Sequence, residues 1–437
     1  MKSYVHHRSK AVLAVLLLSA LSALADDWPQ WRGPNRDGVW RETGLVEKLN
    51  APQLPIRWRM PISSGYSGPT VAGGRVYVMD RVTEPKQMER VHCFNAANGG
   101  RLWLHEYPCD YRKVSYTAGP RASVTVAGGR AYALGTMGNL TCLDAATGVP
   151  VWQKDCAAEY RARIPIWGVA SSPVVEGNAV IVIISGRDGA CVVAFDTADG
   201  RELWRALDDE ASYSSPIVID QAGKRVLICW TGKRVAALDA ATGKLYWDHA
   251  FIPSRMAIGI ATPVYRDGYL LVTSFYDGAM LLKLAPDRPA AELVWRRKGP
   301  DEYDTDALHC CISTPLILGG HIYGVDSHGQ LRCLDLKTGD RLWEDLTAVP
   351  KARWANIHMV ENGDRVWMFN ERGELIISRL SPQGFHEISR AKLIKPTLVQ
   401  LDQADRGGVC WSHPAYADRC IFIRNDEEIT CADLGLR

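Results

Sequence analysis

Along most of the chain, apolar and polar residues alternate in short runs broken by Gly, Asn, Asp and Thr. Ser67-GPTVAGGRVYVMD, Ser171-SPVVEGNAVIVII, Ser214-SPIVIDQAGKRVLIC, Ala261-TPVYRDGYLLVTS and Ser313-TPLILGGHIYGVD each read as a short strand, a tight turn and a second strand of period two. A small residue and Pro open the first strand, where a missing N–H costs little. An eleven-residue phrase then recurs. Cys93-FNAANGGRL-Trp103, Cys142-LDAATGVPV-Trp152, Ala194-FDTADGREL-Trp204, Ala237-LDAATGKLY-Trp247 and Cys333-LDLKTGDRL-Trp343 are the clear copies. Their Trp-to-Trp steps are 49, 52, 43 and 96, the last being two periods. Lys283-LAPDRPAAELV-Trp295 fills that gap with two extra residues, and Ser378-RLSPQGFHE-Ile388 reads as a copy with Ile in place of Trp. An eighth copy begins at Cys431 and stops at the C-terminus.

Each unit therefore holds four strands in about 50 residues, the period of a propeller blade. Pro55-IRWRM-Pro61 places Trp58 45 residues before Trp103 and supplies the outer strand that the eighth copy lacks. The expected fold is all-β, an eight-bladed propeller whose last blade is closed by the N-terminal strand around Trp58. Closure protects sheet edges that an open array would expose. Within the phrase, Asp bonds turn N–H groups, Gly permits a positive φ, and Trp lies on the outer strand against the next blade. Trp58, Trp103, Trp152, Trp204, Trp247, Trp295 and Trp343 are thus assigned to blade contacts, with no chemistry.

The phrase A-x-D-x-x-T-G-x-x-x-W resembles the tryptophan-docking repeat of the pyrroloquinoline quinone (PQQ) propellers. That family includes quinoprotein alcohol dehydrogenases and non-catalytic BamB-type assembly proteins. Trp28-PQWRGPNRDGVW and Gly119-PRASVTVAGGR look like an exported bacterial subfamily described as PQQ-binding-like. The resemblance implies the fold and leaves the activity to be argued from the site.

In such a ring the starts of the inner strands line one channel mouth. Reading one offset along the blades gives Tyr66, Arg121, Trp167, Tyr213, Gly259 or Ile260, His309, Trp354 or Asn356, and Trp411 as the expected lining. Aromatics and one Arg in a funnel suit a flat anionic ligand or plug the channel. The dehydrogenase resemblance implies more: a sandwiched quinone, a calcium ion on carboxylate and amide oxygens, and an Asp base. Trp167 and Arg121 would grip the quinone, Asn356 would ligate the metal, and the adjacent Cys310-Cys311 would cover one face. No Asp or Glu stands at the inner-strand starts; Asp304 and Asp306 are the nearest, in a loop. No catalytic residue is assigned. The expected function is a non-catalytic scaffold binding a protein or a ligand; the alternative is a PQQ- and calcium-dependent dehydrogenase of alcohols or sugars.

Composition changes the picture in three places. Met1–Lys10 is basic, Ala11–Leu24 is apolar and too short to span a bilayer, and Ala23-Leu24-Ala25 is a small-x-small cleavage site. The expected domains are a signal peptide at 1–25, an arm at 26–54 and a single propeller at 55–437, periplasmic or secreted. The whole chain has 51 Lys and Arg against 49 Asp and Glu; loss of Lys2, Arg8 and Lys10 leaves a mature chain near neutrality, without a footprint for nucleic acid. Expected partners are other exported or envelope proteins, or a small ligand, around a monomer. Twelve Cys in an exported chain permit disulfides. Cys93, Cys142, Cys333 and Cys431 share one repeat position and read as buried free thiols, while Cys109 with Cys156 and Cys310 with Cys311 are candidate pairs.

Overall fold

Alternating strands and Gly turns fold into eight four-stranded antiparallel sheets, described over residues 26–397 and 407–436 of a computed structural model. The signal peptide expected at 1–25 lies outside the described residues. The first blade holds Thr70–Ala72, Arg75–Val82, Met88–Asn95 and Arg101–Pro108, and the next six follow in the same meander. The last blade holds Ala415–Ala417, Cys420–Arg424 and Glu428–Asp433, with Ile56–Pro61 as its outer strand. Trp58 faces Cys431 in that pairing. Both chain ends thus close one ring, as the truncated eighth copy required. One four-residue helix, Cys156–Glu159, interrupts the strands, and no helix among the described residues is long and apolar enough to cross a membrane.

The phrase has a two-blade mechanics. Within a blade, its first residue faces its Trp across a bulge, as Cys93 faces Trp103. The indole then reaches the next blade. Trp58, Trp103, Trp152 and Trp295 donate Nε1–H to the carbonyls of Ala96, Ala145, Thr197 and Leu336, at 2.8, 3.2, 3.1 and 2.9 Å. Each acceptor is the fourth residue of the following phrase. The seventh residue, Gly, lies under the same ring: at Gly148, φ is +73 and a Cβ would sit 2.5 Å from the Trp103 indole. Gly is therefore required twice, by turn conformation and by the neighbour's ring.

Two degenerate copies take a different register from the one read in sequence. Trp295 faces Leu281, not Lys283, so the extra residues sit in the turn before it. In the seventh blade Ile377 faces Ser389, and Ile388 is the bulge residue rather than the Trp substitute. Ser389 Oγ accepts the Leu49 N–H at 2.9 Å. The N-terminal arm thus covers the position that lacks its indole.

Residues 26–54 contribute no strand to the eight sheets, yet Trp28, Trp40, Leu45, Leu49 and Leu54 are buried in the core shared with the seventh and eighth blades. Trp40 meets Trp367 edge-on at 5.2 Å and tilts over Tyr416 at 4.9 Å. Trp28 pairs with Val71, so the arm runs along an inner strand and into the channel. There Trp31 Nε1 donates to Thr262 of the fifth blade at 2.6 Å, and its ring meets His413 of the eighth.

Candidate functional site

Inner strands begin at one mouth of the channel, and their first residues converge on a cavity of about 200 Å³. Tyr66, Arg121, Tyr213, Ile260, Ile312 and Trp411 line it, with Trp31 of the arm contributing from within the channel. In the blades whose inner strand is opened by Pro, a lining residue stands three places before it: Tyr66, Ala170, Tyr213, Ile260, Ile312 and Trp411. Trp167 and Trp354 enter from loops ahead of that position. Two expected residues do not line the cavity. His309 stands six places before Pro315, is fully buried, and accepts the Gly299 N–H at 3.1 Å. Asn356 is also buried, with both side-chain polar atoms lacking a partner, and His358 takes its place in the lining.

Aromatic contacts organise the wall. Trp167 tilts against Tyr213 at 5.0 Å, and Tyr116 meets Trp167 at 5.9 Å and Trp411 at 6.2 Å. Met256, Ile258, Ile260, Cys311 and Ile312 form the opposite, aliphatic side. Tyr116 and Trp354 both adopt positive φ, +56 and +66, which is uncommon for bulky residues and marks the rim loops as constrained by their contacts. Arg121 supplies one such contact. Its Nη1 donates to the Gly119 carbonyl and Thr136, and its Nη2 to the carbonyls of Ser115 and Tyr116. The guanidinium braces its own loop, with its cationic face 5.1 Å from the Tyr66 ring centre.

Burial shifts five groups of this wall toward their neutral forms. Desolvation pulls His358 down to about 4 and His413 down to about 3. The same cause pushes Tyr116, Tyr213 and Cys311 up to about 12. At neutral pH these five groups carry neither a ready base nor a thiolate nucleophile. The wall can stack on and desolvate an apolar or aromatic group.

The family model described as outer membrane protein assembly factor BamB matches residues 87–345 and 231–387. The chain belongs to this BamB-type family of PQQ-like propellers. The Shewanella oneidensis assembly factor BamB is 25% identical over 51% of this chain and 56% of its own length. The chain thus spans little more than half of the curated relatives it matches. The quinohemoprotein alcohol dehydrogenase of Comamonas testosteroni is 24% identical over 53% of this chain and 32% of its own. Among solved structures, BamB from Moraxella catarrhalis aligns with a TM-score of 0.57 at 17% identity, over 87% of this chain and 99% of that one. The Comamonas testosteroni dehydrogenase aligns with 0.63 at 14% identity, over 94% and 81%. These structural likenesses carry the fold alone.

The dehydrogenase relatives raise the question of PQQ and calcium. The lining residues of this BamB-type propeller do not fit them: they include no carboxylate and no carboxamide. Calcium takes six to eight oxygen ligands, usually including such groups. Glu371 accepts the Trp411 indole N–H at 3.1 Å and stands outside the lining. Asp306 is paired with Arg297 at 2.8 Å, and Asp304 is exposed in the same loop. All twelve Cys are free and buried, so neither Cys310 with Cys311 nor Cys109 with Cys156 forms a bridge. Cys311 faces the cavity, and Cys310 packs in the core between the fifth and sixth blades.

Proposed function

We propose that this protein is an exported, non-catalytic scaffold of the BamB type, whose channel mouth receives an apolar side chain of a partner protein. One observation carries the reading: the mouth cavity is walled by Trp, Tyr, Ile and Met side chains and includes no carboxylate or carboxamide. The relatives' name, outer membrane protein assembly factor, makes an envelope protein the expected partner. Export follows from the signal read at 1–25. Ile166, next to Trp167, and Tyr303, whose neighbour Glu302 pairs with Arg353 beside Trp354, add exposed apolar surface.

A photo-crosslinking residue introduced at Ile166 or Tyr303 tests this in the native envelope. The expected result is one discrete adduct from these positions and none from Val149, an exposed residue on an outer turn. Trp354→Ala removes a wall residue and should abolish that adduct. Equal labelling from Val149, or adducts indifferent to Trp354→Ala, would overturn the reading.

A further inference from the structure

A second cavity, of about 460 Å³, opens further along the same inner strands, toward the other end of the channel. Its walls are Val174–Glu176, Ile217–Asp220 and Pro263–Tyr265 of the third, fourth and fifth blades. Arg225 of the fourth blade also lines it, and its remaining side is the arm segment 30–37, which carries Arg32 and Arg36. The arm separates this cavity from the aromatic one: Trp31 faces the first and Arg32 the second.

The two guanidinium groups are unusual in what they contact. Arg36 is 4% exposed and donates only to neutral acceptors: Gln30 Oε1 at 2.8 Å, the carbonyls of Ser172, Pro173 and Pro216, and Thr125. Arg32 is 9% exposed and donates one hydrogen bond, from Nη2 to the Asp37 carbonyl at 3.1 Å. It is folded over Gly38, where a Cβ would lie 2.8 Å from its Cζ. The acids that line the cavity are engaged elsewhere. The Asp37 carboxylate binds Arg41, Glu176 binds Arg225 at 2.7 Å, and exposed Asp220 caps the Gly223 turn at 3.2 Å. Burial pulls Arg36 down to about 9 and Arg32 down to about 10, so each charge is held at a cost. Arg36 has no counter-ion, and the nearby Asp37 carboxylate offsets the burial of Arg32 only in part, an unfavourable arrangement that a bound anion relieves. Arg36 is spent on tying three blades together. The remaining donors of Arg32 are available, and a guanidinium fork matches planar or tetrahedral oxyanions.

We propose that this cavity is a binding site for a small oxyanion, a phosphate or carboxylate group, held by Arg32 beside Arg36. The apolar strand walls would take the body that carries it.

The test uses the full mature chain in calorimetric titration and thermal melts with inorganic phosphate and with succinate, against sodium chloride of equal ionic strength. Saturable binding of one of the two anions, with a rise in melting temperature that chloride does not give, is the expected result. Whichever binds identifies the phosphate or the carboxylate source. Arg32→Met should abolish the shift while leaving the ligand-free melting temperature at or above the parent's, because it removes a buried charge that Asp37 offsets only in part. Arg32→Lys keeps the charge, loses the fork, and should bind roughly ten-fold more weakly. Arg201→Gln, at an exposed cation paired with Asp196 and outside this cavity, should bind as the parent does. The proposal falls if neither anion acts beyond chloride, or if Arg32→Met binds like the parent. A much lower ligand-free melting temperature for Arg32→Met would make Arg32 a structural brace and overturn it too.

Discussion

Replacing Trp58 with Ala should destabilise the ring far more than truncating an exposed residue on an outer strand. Trp58 is 8% exposed, its Nε1 donates to the Ala96 carbonyl at 2.8 Å, and its ring covers Gly99 of the first blade. Truncating a buried Trp costs about 3–5 kcal/mol through lost burial and the residual cavity. Leaving the Ala96 carbonyl without its donor adds about 1 kcal/mol. The total of roughly 4–6 kcal/mol is a large share of the ~5–15 kcal/mol that holds a typical domain folded. Leu102 supplies the control: it lies on the first blade's outer strand, is 47% exposed, and should change stability by no more than about 0.5 kcal/mol when cut to Ala. Urea unfolding followed by far-ultraviolet circular dichroism compares the two variants with the parent. A Trp58→Ala midpoint indistinguishable from that of Leu102→Ala would show that Ile56–Pro61 does not close the ring.

Gly148→Ala should cost more than Gly73→Ala in the same assay. Both glycines have positive φ, worth about 1–2 kcal/mol against Ala, but only Gly148 lies under an indole, while a Cβ at Gly73 meets open space. Stability should also fall on acidification from pH 6.5 toward 4. His358 and His413 remain neutral in the fold to about 4 and about 3, whereas the unfolded chain binds their protons near 6.5. The unfolded state therefore holds more protons in that window, and each His removes up to about 1.4 kcal/mol per pH unit as pH drops. Urea midpoints at pH 7 and pH 5 should separate, and less so in the His358→Gln/His413→Gln double variant; equal separations would contradict the assignment. Alkylation of unreduced, denatured protein should label all twelve Cys, and a Cys310–Cys311 bridge found by mass spectrometry would contradict the free thiols described.

Much of the fold is legible in the chain because its signals are local. The phrase from Cys93 to Trp103 contains its own strand, turn and bulge, and its truncation at Cys431 points directly to Trp58. At the mouth the strand-opening Pro fixes the offset in most blades, and Arg121 and Trp354 line it from the two blades without one. Tyr66 and Tyr213 follow that offset, whereas His309 was read three places too early, and Ile312 holds its position. The seventh blade has no such Pro, so counting leaves Trp354 and Asn356 as alternatives, and Trp354 is the one in the lining. Trp31, Tyr116 and Tyr276 reach the cavity from the arm and from loops of unequal length, which no period describes. The arm itself is the least legible part. Arg36 touches the second, third and fourth blades, and Trp31 the fifth and eighth, contacts made across the channel between residues far apart in sequence.

The separation of this propeller from its dehydrogenase relatives rests on a mouth cavity lined without carboxylate or carboxamide. Reconstitution of the purified mature chain with PQQ and calcium, followed by absorbance and dye-linked oxidation of alcohols and sugars, tests that claim most directly. The account predicts no stoichiometric quinone complex and no dye reduction above the protein-free control. A tight one-to-one complex that reduces the dye when an alcohol or sugar is added would contradict it.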